Sequence, residues 1–239
     1  MTHCRSHRRH ASRAAGLLLV ACAALAGCRP GTETGAADSG EVLQVSLNND
    51  IRSTSPGVNR DANTDSVMMH VVEGLVAYRE DGTPAPMLAR DIRVSDEGRT
   101  YTFSLREGVR FHNGALLTSA DVVWTWRRYL DPATGWTCLS DFDGSRGARI
   151  ESVDATDAHT VVFRLDRASP MLLTQMAALP CGASGILHPD SLNADGSWNQ
   201  PIATGPWRLG EWKRGQYVDL VAFPDYVPAE GEMDGYTGR

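Results

Sequence analysis

The chain has 239 residues, 23 Lys and Arg against 29 Asp and Glu, and a net charge of −6. A surface this acidic lacks the cations needed to displace counterions from a phosphate backbone, which excludes a nucleic-acid partner. No apolar run reaches the roughly 20 residues of a membrane span, and the 42% hydrophobic content is that of a globular chain.

The first stretch, residues 1–27, reads as an export signal. Arg5, Arg8, Arg9 and Arg13 form a basic start, and Ala14 to Leu25 is an uninterrupted small and apolar run. It ends in Leu25-Ala26-Gly27-Cys28, which is similar to a bacterial lipobox. Cys28 is then the expected lipidated N-terminus of the processed chain, and the lipid its only link to the membrane. Processing would remove four Arg and no acidic residue, leaving 19 basic against 29 acidic residues and a net charge of −10. Residues 28–40, rich in Gly, Thr, Ala, Asp and Ser, read as a flexible tether, and residues 41–239 as the folded part.

Glu41 to Asn48 alternates through Leu43, Val45 and Leu47 and predicts a strand. Ile51 to Asn63 predicts a loop. Thr64 is placed to cap a helix with the apolar face Val67, Met68, Val71, Val72 and Leu75, in which Met68 and Met69 are expected to be core. Tyr101, Phe103 and Leu105 alternate with Thr102, Ser104 and Arg106, predicting a half-buried strand. Glu107-Gly108 can turn the chain into a short return strand over Val109 to His112, and Asn113-Gly114 breaks it again. Thr118, with Asp121 three residues on, predicts a capping box. Val122, Val123, Trp126, Tyr129 and Leu130 then make one helix face, stopped by Asp131-Pro132. Ala148 to Leu165 predicts a hairpin turning at Asp157-Ala158. Ser169 predicts a cap, with Pro170 in the first turn of a helix through Met171, Leu172, Gln175, Met176 and Leu179. The elements together predict an α/β fold with a mixed sheet.

Cys4 and Cys22 leave with the signal, so Cys138 and Cys181 remain as one pair in an oxidising compartment. Either they form a disulfide, closing a loop worth about 4 kcal/mol, or they are two buried thiols. The sequence offers no catalytic pattern. His70, His112, His159 and His188 are scattered, with no H-E-x-x-H, C-x-x-C, G-x-S-x-G or P-loop. Asp141, Asp143 and Gly144 lack the later ligands of a calcium loop. No enzyme activity, cofactor or metal is expected.

The stretch TYTFSLREGVRFHNGALLTSADVVWTWRRYLDP, residues 101–132 with the preceding Thr100, closely resembles the most recognisable block of the family-5 extracellular solute-binding proteins, with Asn113 for the usual Asp and Ser119 for Ala. Glu73-Gly74-Leu75, Gly82 to Ala89, Val153 to Val161, and Ala203-Thr204-Gly205-Pro206-Trp207 with Pro224-Asp225-Tyr226 resemble further blocks of that family. The resemblance runs over residues 41–226. It implies a type II, two-lobed, periplasmic-binding-protein-like fold, of which this chain holds the first lobe with its accessory subdomain and not the second. It implies a monomeric substrate-binding component of an ABC importer. Such a component captures peptides outside the cytoplasmic membrane and delivers them to permease subunits. A ligand-presenting sensor lipoprotein, or a binder of nickel or an oligosaccharide, would use the same lobe; a secreted hydrolase would need a nucleophile and base that are not evident. Two stretches are expected to face the cleft. One is Arg60, Asp61, Ala62 and Asn63, which could equally be a solvated connection. The other is Trp136, which could pack on a ligand or lie in the core.

Mass spectrometry of the membrane fraction is expected to find lipid on Cys28. An unmodified chain starting elsewhere, or one released to the medium, would contradict the lipobox reading.

Overall fold

The structure is a computed structural model that describes residues 42–229. The export signal, Cys28 and the tether lie outside the described residues. Residues 42–46 fall in a unit apart from the rest and belong to no strand, with Leu43 and Val45 exposed. The strand expected over 41–48 is therefore not formed: alternation marks two faces, but a strand also needs a ladder to bond to.

Within residues 47–229 the central layer is a four-stranded antiparallel sheet. Its strands are β3 (Ala89–Ser95), β4 (Thr100–Leu105), β5 (Ile150–Asp157) and β6 (Thr160–Leu165), in the order β3-β4-β6-β5. Two-stranded ribbons flank it: β1 (Val76–Tyr78) with β2 (Pro84–Pro86), and β7 (Trp207–Lys213) with β8 (Tyr217–Ala222). Every pairing among the described strands is antiparallel, so the expected mixed sheet is not what these residues build. The helices are α1 (Ala62–Met68), α2 (Ser119–Leu130), α3 (Leu139–Phe142) and α4 (Leu172–Met176).

The sheet follows from its period of two. Tyr101, Phe103 and Leu105 are buried while Thr100, Thr102 and Ser104 are not, so β4 turns one face inward. Val161, Phe163 and Leu165 of β6 join that face. Val109 to His112 do not return along β4, because β3 and β6 already occupy both its edges. Arg110 instead bridges Leu116 across the turn at Asn113-Gly114, where Gly114 has φ 87.

Helix α2 covers the inward face against β5 and β6. Asp121 closes its first turn, accepting from the Thr118 N–H at 2.9 Å and from the Thr118 hydroxyl at 2.7 Å. Trp126 is fully buried and makes edge contacts with Phe163 (5.1 Å between centroids), Phe142 (5.3 Å), Trp136 (5.9 Å) and Tyr129 (6.0 Å). The preference of aromatic rings for edge-to-face and offset contacts gives this cluster its shape. At the far end Asp131 leaves the helical region (ψ 118) ahead of Pro132.

Three expectations shift by a few residues. The cap of α1 is Asp61, and Thr64 lies inside the helix, donating to Asp61 through both its N–H (2.8 Å) and its hydroxyl (2.7 Å). Met68 is buried, but Met69 is 43% exposed, since adjacent helical positions point about 100° apart. Helix α4 begins at Leu172, after a turn in which Ser169 offers its carbonyl rather than its hydroxyl.

One buried carboxylate joins the outer segments to this body. Glu73 accepts hydrogen bonds from the Thr204 hydroxyl at 2.7 Å and the Tyr226 hydroxyl at 2.9 Å, and its backbone carbonyl accepts from the Ile186 N–H. Next to it the Gly205 N–H donates to the Val71 carbonyl, and a Cβ on Gly205 would lie 2.6 Å from Val71 backbone atoms. His112 reinforces the junction, donating through Nε2 to the Gly205 carbonyl at 3.0 Å. Burial holds the imidazole below its ordinary pKa and so favours the neutral form, in which Nδ1 can accept from the Ala203 N–H at 3.4 Å.

Glu73→Ala is expected to cost about 3 kcal/mol, since it strands the buried Thr204 hydroxyl and deletes its bond and that of the half-buried Tyr226 hydroxyl. Urea unfolding monitored by tryptophan fluorescence measures this, and a loss under about 0.5 kcal/mol would show that the junction does not depend on the carboxylate.

Candidate functional site

The expected cleft residues enter the structure as the start of α1. Asp61 sits in extended backbone (φ −146, ψ −178) and carries the cap. The Thr64 backbone N–H, then its hydroxyl, hold the Asp61 carboxyl below its ordinary pKa, and Arg52 pairs with it at 3.3 Å. Arg60 reaches forward: its Nε donates to Asp65 at 2.9 Å and its Nη2 pairs with the other carboxylate oxygen. Asn63 donates its amide to the Asn49 carbonyl at 3.0 Å. Arg60, Asp61 and Asn63 are thus tied to neighbours by side-chain bonds, while Ala62 is exposed.

Trp136 is brought close to this segment, but inside the wall. It is 3% exposed, stacked on Tyr129 (4.6 Å between centroids) and Phe142 (5.3 Å). Its indole N–H donates to the Cys181 carbonyl at 3.0 Å. Its backbone bridges Val58, and the Thr137 N–H donates to the Gly57 carbonyl at 2.9 Å. Trp136 therefore supports the loop from behind. As placed, it presents no free ring face for a solute, because both its flat contacts and its polar edge are already used.

Cys138 and Cys181 form a disulfide with 5.3 Å between their Cα atoms, inside the roughly 7 Å that a bridge can span. Asp141 lies beside the two sulfurs, which are spent on each other. Two glycines make the close fit possible here. Gly57 has φ 67, and a Cβ on it would meet Trp136 Nε1 at 2.6 Å. Gly182 has φ 63, and its Cβ would meet the Gly57 nitrogen at 2.6 Å. Ala183 and Ser184 follow at φ 49 and 48, a region costly for residues other than glycine.

A small, mostly apolar hollow of about 10 Å³ results between α1 and the disulfide-tied segment. Its lining includes Asp65, Met69, Val72, Leu179, Gly182 and Ala183, and both Met69 and Leu179 are more than 40% exposed. Leu179, expected on the apolar face of the helix that Pro170 opens, instead starts the 3-10 turn Leu179–Ser184 beyond α4 and is exposed, and no local signal marks Gly182. Met69 was legible in principle, because helical geometry turns it away from the buried Met68.

Residues 83–236 match the profile of the bacterial extracellular solute-binding proteins, family 5 Middle. The chain belongs to this family. Among curated proteins it is 34% identical over 224 residues to Protein XP55 of Streptomyces lividans, covering 91% of this chain and 38% of that protein. It is 33% identical over 202 residues to Di/tripeptide-binding protein 4 of Pseudomonas aeruginosa, covering 77% of this chain and 37% of that one. Among solved structures, the PBP AgaA in complex with agropinic acid, from A. tumefacien R10, superposes with a TM-score of 0.67 at 28% identity, over 74% of this chain and 35% of that one. The chain thus spans well under half the length of the relatives it matches. Its described residues have the α/β fold of part of a two-lobed periplasmic binding protein.

In this family-5 chain, glycine at position 57 serves packing as well as backbone conformation, and the two can be separated. Gly108 also has positive φ (77) but has open space around its Cβ position. Gly108→Ala is expected to cost about 1 kcal/mol, for conformation alone. Gly57→Ala should cost roughly 3 kcal/mol, because Trp136 and the Cys181 carbonyl must also move. Equal losses in thermal or urea unfolding would mean that the Gly57–Trp136 contact is not tight.

Proposed function

We propose that this chain is the substrate-binding component of an ABC importer, lipid-anchored through Cys28 outside the cytoplasmic membrane, and that it captures short peptides for its permease. The hollow beside α1 carries this reading. It offers a wall of methionine, valine, leucine and backbone, next to extended backbone at Asp61. Thioether and small-residue surfaces adapt to side chains of different shape, which suits a receptor for varied peptides. Extended backbone at the rim suits strand-like capture of a peptide main chain, with Arg60, Asp61, Ala62 and Asn63 as the nearest segment. The peptide class draws support from the relative named as a di/tripeptide-binding protein.

Tight small-ligand sites enclose on the order of 70–90% of the ligand surface. The hollow holds only about 10 Å³, so capture in this reading needs a second wall that closes over the surface around it, as in two-lobed receptors. Calorimetry with a mixture of di- and tripeptides is expected to give millimolar or undetectable affinity for residues 29–239. Micromolar affinity should appear once a second lobe of the family follows them. A micromolar site on the chain alone would overturn the two-wall argument. Nickel or an oligosaccharide titrating the extended chain in place of peptides would overturn the peptide assignment.

A further inference from the structure

His112 joins the turn after β4 to the segment over residues 201–207, and both of its ring nitrogens take part. Nε2 meets a carbonyl, that of Gly205 at 3.0 Å, and so donates. Nδ1 meets an N–H, that of Ala203 at 3.4 Å, and so accepts. The His112 backbone adds a third bond, its N–H donating to the Ala203 carbonyl at 2.8 Å. Only the neutral ring with its proton on Nε2 satisfies both side-chain contacts.

A second proton has no good place here. On Nδ1 it would face the Ala203 N–H, donor against donor. The Phe223 ring meets the imidazole edge-on at 5.1 Å and carries the Arg208 guanidinium at 6.0 Å, so the new charge would also stand near a cation. Burial opposes protonation most and Arg208 adds to it, while the carbonyls of Gly205 and Pro201 favour it; together they hold the imidazole below its ordinary 6.5. Among the described residues no carboxylate forms an ion pair with His112 or Arg208. Glu73, the acidic group of this junction, accepts from the Thr204 and Tyr226 hydroxyls. His70 is the other imidazole nearby; burial lowers its pKa as well, and its carbonyl accepts from the Trp207 N–H.

We propose that His112 is an acid-sensitive latch, whose protonation frees residues 201–207, and the ribbon of β7 and β8 that follows them, from the rest of the fold. The freed segment is also the one bonded to Val71 and His70, just after α1, so the latch bears on the chain beside the hollow whatever that hollow binds. The unfolded chain takes up this proton near pH 6.5 and the folded chain only below it. The stabilisation is therefore complete above pH 6.5 and is lost as the pH falls toward the lower folded value. One proton changes the opening equilibrium by at most about tenfold per pH unit.

The test is hydrogen exchange of the full chain by NMR at about pH 7.5 and about pH 5.5, on either side of the ordinary histidine range. The readout is the protection factor of the Gly205 and Trp207 amides, in which the intrinsic pH dependence of exchange cancels. Protection is expected to fall about threefold or more at the lower pH, and His70→Gln should keep that fall. His112→Gln retains an amide donor for Gly205 but does not titrate, and should remove it. Should that variant fail to fold, nitrogen NMR of the native imidazole decides. The neutral ring should then carry its proton on Nε2 and titrate with a midpoint below 6.5 that coincides with the change in Gly205 protection. Protection indifferent to pH, a fall that survives His112→Gln, a proton on Nδ1 of the neutral ring, or a midpoint at or above 6.5 would overturn the proposal.

Discussion

The close approach of Gly57 to Gly182 against the Trp136 indole is the contact on which the rest of the candidate site depends. Two backbone segments meet there with no room for a Cβ on either side. The Cys138–Cys181 disulfide and the Trp136 bond to the Cys181 carbonyl fix the same point from within the core. The loop ahead of α1, in which Ile51 and Pro56 are buried, is thereby held against the wall behind it. This arrangement places the positive φ values of Ala183 and Ser184 beside the hollow, where the surrounding bonds can impose a conformation those residues do not favour.

The Glu73 carboxylate solves a different problem. The ribbon of β7 and β8 and the segment to Tyr226 are remote in sequence from α1 and share little apolar surface with the sheet. Thr204 and Tyr226 bring them to one buried acceptor, and His112 adds a bond from the turn after β4. The blocks by which the family is recognised in this sequence, around Glu73, His112, Thr204 and Tyr226, thus converge on one junction. Their resemblance reflects how the lobe is assembled more directly than what it binds.

Much of the fold was legible because local and tertiary preferences agree. Tyr101, Phe103 and Leu105 alternate and are inward, and Thr118 with Asp121 caps the helix that Val122, Trp126 and Tyr129 bury. Where they disagree, the pattern misleads. Leu43 and Val45 alternate but find no ladder, and Val109 to His112 are barred from β4 by strands distant in sequence. Thr64 has the right chemistry for a cap, but Asp61 offers a carboxylate three residues earlier and binds Thr64 itself. The site was legible only as a neighbourhood. Trp136 bridges Val58, two residues ahead of the expected segment Arg60 to Asn63, and nothing local announces that the Trp136 ring faces inward or that Leu179 and Gly182 complete the hollow.

The surface beside α1, supported by Trp136 and the disulfide, is proposed as one wall of the solute site. Hydrogen exchange of a protein that carries both lobes, with and without a bound tripeptide, tests it most directly. Slowed exchange is expected over residues 57–69 and 179–185, with α2 around Arg127 and Arg128 unchanged. Protection confined to other segments, with these two unaffected, would contradict it.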